Sequence, residues 1–190
     1  MSIVTGGPVY ECGMALAAVR RATDDDVAEI VRIQADTWRL AYAGFVPEAA
    51  LAELTSEAAT QAWRDAVAAG EPFHVFVAEE GSHVVGFCAA AHYAGQKDLS
   101  IAEISTLLVE PRWGRRGHGG RLLATAAAAL REAGSAEGRA WVPEGDTASR
   151  RFYPRAGWKP DGAVRTLDTG DGTLREIRHT GTLDLRLEAQ

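Results

Sequence analysis

The chain has 190 residues, which suits one domain around one core, and its apolar content of 46% argues against disorder over most of its length. A formal charge of −6 argues against a nucleic-acid surface, which carries a basic excess. No apolar run approaches a membrane span, and Met1 to Gly13 lacks a basic region leading into an apolar stretch, so neither an anchor nor a signal peptide is expected.

Residues 1–13 have no clear period and read as a flexible extension, with a single domain over 14–190. Leu16 to Arg20 reads as a first strand. Thr23 can then cap a helix with Asp26 three residues on, and Val27, Ile30, Val31, Gln34 and Trp38 follow at helical spacing. Gly44 and Pro47 break that pattern, and further helical stretches run from Glu48 to Leu54 and from Ser56 to Ala69. Phe73–Glu79 and His83–Tyr93 form a hairpin through Gly81-Ser82, and Gly95 to Asp98 is a loop. Ile101–Val109 is a strand stopped by Pro111. Gly117–Ala133 is helical with Leu122, Leu123, Ala126 and Leu130 on one side, and Gly138–Val142 is a short strand. Asp146 caps a helix to Arg155, and Trp158–Leu167 and Arg175–Leu187 are the last strands, joined through 169–172. Strands paired by a hairpin and then joined through helices predict an α/β fold of the α+β kind, a mixed sheet with helices on both faces.

Two cysteines, Cys12 and Cys88, do not make a disulfide framework, and Cys88 lies in an apolar run as a small buried side chain. A reducing, cytoplasmic compartment is the default expectation. The five histidines show no metal-ligand spacing, so no metal is expected.

The strongest local signal is the segment 107–123, where a strand ends at Pro111 and an Arg- and Gly-rich turn runs straight into a helix. Glycines let backbone N–H groups converge, and the helix N-terminus adds positive potential, so the turn suits a pyrophosphate. A Walker A loop needs Gly-Lys-Ser/Thr, which is absent, and a dinucleotide fingerprint needs a third glycine where Leu122 stands. A pyrophosphate loop for acetyl-CoA and a solvated basic turn remain.

Gly114-Arg115-Arg116-Gly117-His118-Gly119 resembles the Q/R-x-x-G-x-G/A motif of the GNAT N-acetyltransferases, with Gly114 in place of the usual Gln or Arg. Downstream, Asp146 to Trp158 resembles that family's N-x-x-A-x-x-F-Y-x-x-x-G-F pattern, with Asp for Asn at the cap and Trp for the last Phe. The element order agrees from about Leu16 to Leu187. The resemblance implies a mostly antiparallel sheet that splays, helped by a bulge, between the strand ending at Val109 and the strand Gly138–Val142.

It also implies acetyl-CoA as co-substrate, with pantetheine along Leu107, Leu108 and Val109. The turn Arg115, Arg116, Gly117, His118, Gly119 and Gly120 would take the pyrophosphate, and Asp146 would lie at the cofactor. A backbone N–H near Val109 would polarise the thioester carbonyl. Tyr153 matches the family's tyrosine acid for the departing thiolate; its alternative is an aromatic packing residue. Glu103 resembles the position of the base in the histone-modifying members; its alternative is a glutamate on an exposed strand face. Trp38 and Tyr42, four residues apart on one helical face, can line an amine pocket or belong to the core. The expected reaction transfers acetyl to a primary amine of a small molecule by direct attack. A protein or peptide acceptor and a non-catalytic acyl-CoA-binding module are the other readings. The resemblance adds a homodimer through the C-terminal strands as a candidate assembly.

Overall fold

The structure, a computed structural model, describes residues 17–42, 44, 46–92, 101–169 and 172–185. Strand β1 (Ala17–Arg21) leads through one 3-10 turn (Asp24–Asp26) into α1 (Val27–Tyr42), α2 (Glu48–Glu53) and α3 (Glu57–Ala68). Then come β2 (Phe73–Glu80), β3 (His83–His92), β4 (Ile101–Val109), α4 (His118–Glu132), β5 (Glu137–Pro143), α5 (Thr147–Arg155), β6 (Lys159–Asp168) and β7 (Thr173–Thr182).

This is the expected element order. The sheet has seven strands in the order β1-β2-β3-β4-β5-β7-β6, and only β4 and β5 pair in parallel. The anticipated extension, the loop 95–98, Tyr93, Leu16 and the 169–172 connection at 170–171 lie outside the described residues.

Alternation along the strands sends side chains to two cores. On one face α4 buries Leu122, Leu123, Ala126, Ala127 and Leu130 against Phe76, Cys88, Ala102, Ile104 and Val142, and Tyr153 and Ala156 of the α5 region join them. On the other, Ile30 and Ile33 of α1 pack with Val75, Val77, Phe87 and Ala89, backed by Trp63 of α3. The start of α1 is fixed by Asp26, whose carboxylate accepts the Thr23 N–H at 2.8 Å and pairs with Arg20 at 2.7 Å.

Several strand bounds differ from expectation, and two of the differences have a visible cause. Trp158 does not open β6. It lies completely buried over two glycines, Gly138 of β5 and Gly181 of β7, and its indole N–H donates to Thr182 O at 3.0 Å. β7 stops at Thr182 instead of running to Leu187. Leu183 turns in, its N–H donating to Ala136 O at 3.0 Å, and residues 186–187 lie outside the described range.

Two irregularities position the site. In the β3–β4 ladder Ala89 opposes Thr106 and Ala90 opposes Ile104, so Ser105 is a one-residue bulge. Its hydroxyl donates to Ala89 O at 3.1 Å, which secures the kink. The parallel β4–β5 ladder covers only Ile101–Ile104 against Glu137–Ala140. Beyond the bulge the two strands separate.

Candidate functional site

Separation leaves a cleft between the second half of β4 and the end of β5, with about 470 Å³ of empty space that includes open solvent. Its walls include Ser105 to Leu108, Trp141 and Val142, Tyr153 and Ser149 of α5, Trp38 and Tyr42 of α1, and Glu176 of β7. Along Ser105 to Val109 the β4 edge facing β5 has no strand partner among the described residues, so its N–H and C=O groups are available to an extended ligand.

At the far end of β4 the chain makes a 3-10 turn over Pro111–Trp113 and enters α4 through Gly117, which adopts φ 82° as the helix cap. That left-handed conformation favours glycine. Arg115 adopts φ 61° in the same turn, exposed and without an ion pair among the described residues. The other two arginines are engaged: Arg112 with Glu110 at 3.0 Å, and Arg116 with Glu80 at 2.6 Å while lying 4.8 Å from the Trp113 ring. The His118 side chain turns inward, fully buried, to Glu80 at 2.7 Å. Of the expected contact groups, His118 therefore has only its backbone at the helix mouth. A Cβ on Gly119 would lie 3.3 Å from Phe152 and 3.7 Å from Leu107, so this glycine lets α5 pack against α4.

Tyr153 is buried against Trp158, ring centroids 5.5 Å apart, and its face toward the cleft makes it part of the wall. Burial, then the neighbouring Cys88 and Asp146, push its phenol well above the usual tyrosine range. Its hydroxyl has no hydrogen-bond partner among the described residues. Asp146 is occupied locally. It caps α5 by accepting the Ser149 N–H at 2.9 Å and hydroxyl at 2.7 Å, and it accepts the Tyr42 hydroxyl at 2.7 Å. Tyr42 is thus a buried strut between α1 and α5, edge-on to Trp38 at 5.1 Å.

Glu103 is not brought to the cleft wall. It lies in the zipped part of the β4–β5 ladder, opposite Arg139, and its carboxylate accepts from Arg139 Nε at 2.8 Å. Sequence reasoning missed Trp141 and Glu176. Trp141 lay within an expected strand but carried no motif, and Glu176 is far along the chain in a strand of alternating charge.

The unpaired β4 edge, the glycine-led helix mouth and the exposed Arg115 fit an extended pantetheine chain ending in a pyrophosphate. Comparison with known families matches residues 27–158 to the Acetyltransferase (GNAT) family. The chain belongs to the GNAT family.

GNAT proteins use acetyl-CoA, and this chain is accordingly an acetyl-CoA-dependent acetyltransferase. Solved structures of the same fold include the PaiA N-acetyltransferase of Thermoplasma acidophilum in complex with coenzyme A. It is 17% identical, with a TM-score of 0.72 over 88% of this chain and 99% of that one. The yncA protein of Salmonella typhimurium with acetyl-CoA is 19% identical, with a TM-score of 0.69 over 92% and 98%. The ribosomal-protein-alanine N-acetyltransferase of Brucella melitensis is 21% identical, with a TM-score of 0.69 over 87% and 99%. No match to this sequence was found among curated proteins. Among the described residues no group of His, Cys, Asp and Glu is placed to hold a metal, and no helix is long and apolar enough to cross a membrane.

Proposed function

We propose that this GNAT protein acetylates a primary amine of a small molecule by direct attack in a ternary complex. The observation that carries the reading is the aromatic wall: Trp38, Tyr42 and Trp141 converge on the same cleft as Tyr153 and the unpaired stretch of β4. Rings so placed suit a compact amine with an apolar body.

Bound acetyl-CoA supplies the activated acetyl carbonyl and a thiolate leaving group. The β4 edge from Leu107 to Val109 would pair with the extended donor through its unpaired backbone groups, and an N–H there would polarise the thioester carbonyl. The N–H groups of Gly117 to Gly120 and the Arg115 guanidinium take the pyrophosphate. Arg116 and His118 act on it indirectly, by holding the loop to Glu80. Asp146 fixes the start of α5 and the end of α1, so its influence on the donor is through position.

Tyr153 donates from its hydroxyl to the departing sulfur. Burial keeps the phenol protonated at neutral pH, and it is then a weaker acid than a thiol of pKa about 8.5. It therefore serves the sulfur as a hydrogen-bond donor while the bond breaks, and gives up its proton only as the acidified nitrogen of the intermediate replaces it. We assign Glu103 to holding Arg139 at the zipped end of the ladder, because that carboxylate is already ion-paired away from the cleft wall.

A release assay for free CoA thiol, run on an amine panel beside peptides with free N-termini and lysines, tests the acceptor class. Small amines should give the higher kcat/KM. Peptides outperforming every small amine would replace this reading with a protein N-acetyltransferase, the class named for the Brucella melitensis neighbour.

A further inference from the structure

Two carboxylates lie on the same face of the sheet near the cleft, and each is held by an arginine. Glu103 pairs with Arg139, and Glu176 pairs across the β6–β7 ladder with Arg165. Only Glu176 lines the cleft. It is 7% exposed, and the same cleft is lined by Trp38, Tyr42 and Trp141. Arg165 engages one oxygen, Oε2, while its guanidinium carbon lies 4.5 Å from the Trp141 ring. The arginine is thus fixed between indole and carboxylate. Oε1 of Glu176 has no hydrogen-bond partner among the described residues.

A carboxylate that is nearly buried, half satisfied and set in a cleft lined by aromatic rings is a receptor for a second cation. We propose that Glu176 holds the ammonium of the acceptor through this second oxygen and takes its proton. The inference rests on the acetyltransfer reading and names the chemistry of the acceptor: a primary ammonium on an apolar body. An ammonium gives one proton to Glu176 and becomes the neutral amine. The nitrogen lone pair bonds to the acetyl carbonyl carbon, the carbon–sulfur bond breaks with its pair on sulfur, and sulfur receives a proton from Tyr153. The second nitrogen proton restores Tyr153 through solvent, and Glu176 releases its own to water. The balance is ammonium plus acetyl-CoA giving amide, CoA thiol and one proton.

The test uses the full chain saturated with CoA and reads tryptophan fluorescence, with Trp38 and Trp141 as reporters. Benzylamine and n-butylamine are titrated against benzyl alcohol and n-butanol. The wild type should prefer each amine over its alcohol by about tenfold or more, and Glu176→Gln should abolish that preference with CoA affinity unchanged. Glu103→Gln and Arg165→Gln should retain it, which separates the receptor role from a structural ion pair. If Glu176→Gln fails to fold, Glu176→Asp keeps the charge one methylene short and should retain a reduced preference. Equal binding of amines and alcohols by the wild type overturns the proposal, as does an amine preference that survives in Glu176→Gln. The acetyltransfer reading fails separately, on a wild type that releases no CoA thiol from acetyl-CoA with any acceptor.

Discussion

The β4–β5 seam has two ends built on opposite terms. At the zipped end, four residue pairs from Ile101–Ile104 join the strands, Glu103 and Arg139 neutralise each other, and Trp158 fills the space above Gly138 and Gly181. At the open end, one inserted residue, Ser105, interrupts the ladder, and the polar and aromatic side chains there meet a cavity. One strand therefore carries both a fixed anchor and a reactive edge, and the boundary between them is a single bulge. Changes at the open end should alter rates and ligand affinities, and changes at the zipped end should alter stability.

The largest effect is expected at Tyr153. Tyr153→Phe keeps the ring packed on Trp158 and removes the donor. Single-turnover acetyl transfer should fall by about 10²–10⁴-fold with acetyl-CoA affinity little changed. A full rate in this variant would return the tyrosine to packing. Because burial raises its phenol, loss of rate by tyrosinate formation should begin only above the ordinary phenol range. A pH–rate limb with a midpoint below about 10 that vanishes in Tyr153→Phe would contradict that sign.

At the zipped end, Gly181→Ala places a Cβ 2.5 Å from the Trp158 ring. Such overpacking typically costs about 1–3 kcal/mol, so chemical denaturation should show a loss of that order. Activity per folded molecule should stay near wild type. Equal loss of rate at full stability would show that the two ends are not separable.

Glu103→Gln sharpens the same contrast. It removes the negative charge that faces the nearly buried Arg139, so stability should drop by about 1–3 kcal/mol while kcat/KM changes by less than tenfold. A large rate loss in a stable variant would reinstate Glu103 as the base. The smallest effect is expected for Arg115→Ala, which removes one exposed charge from the helix mouth. CoA affinity by calorimetry should weaken about two- to tenfold and more at low salt than at high.

The alternation of β2 to β4, the apolar stripe of α4 and the glycine-led turn are local signals, and each element lies where periodicity and punctuation put it. Tyr153 was legible because its motif is contiguous. Trp158 was assigned to a strand because an aromatic after glycine looks the same whether it continues a ladder or plugs a hole. Only the two glycines it covers, from distant strands, decide that. The Glu103 side chain faces its partner across a ladder, and Glu176 comes to line one cleft with Trp38 and Tyr42 through three-dimensional closure, so neither environment has a signature in spacing. His118 falls inside a motif read as contacts, yet Glu80, 38 residues earlier, claims its ring.

Arg115 has a further meaning for anyone selecting variants of this protein. A side chain at φ 61° pays about 1 kcal/mol that glycine would not, so Arg115→Gly relaxes the turn while deleting a cation that has no ion pair among the described residues. A screen scored on heat resistance should therefore enrich glycine at this position, and a screen scored on turnover at scarce acetyl-CoA should purge it. The two pressures pull the same codon in opposite directions, which makes residue 115 a readout of what a population of these proteins has been asked to do.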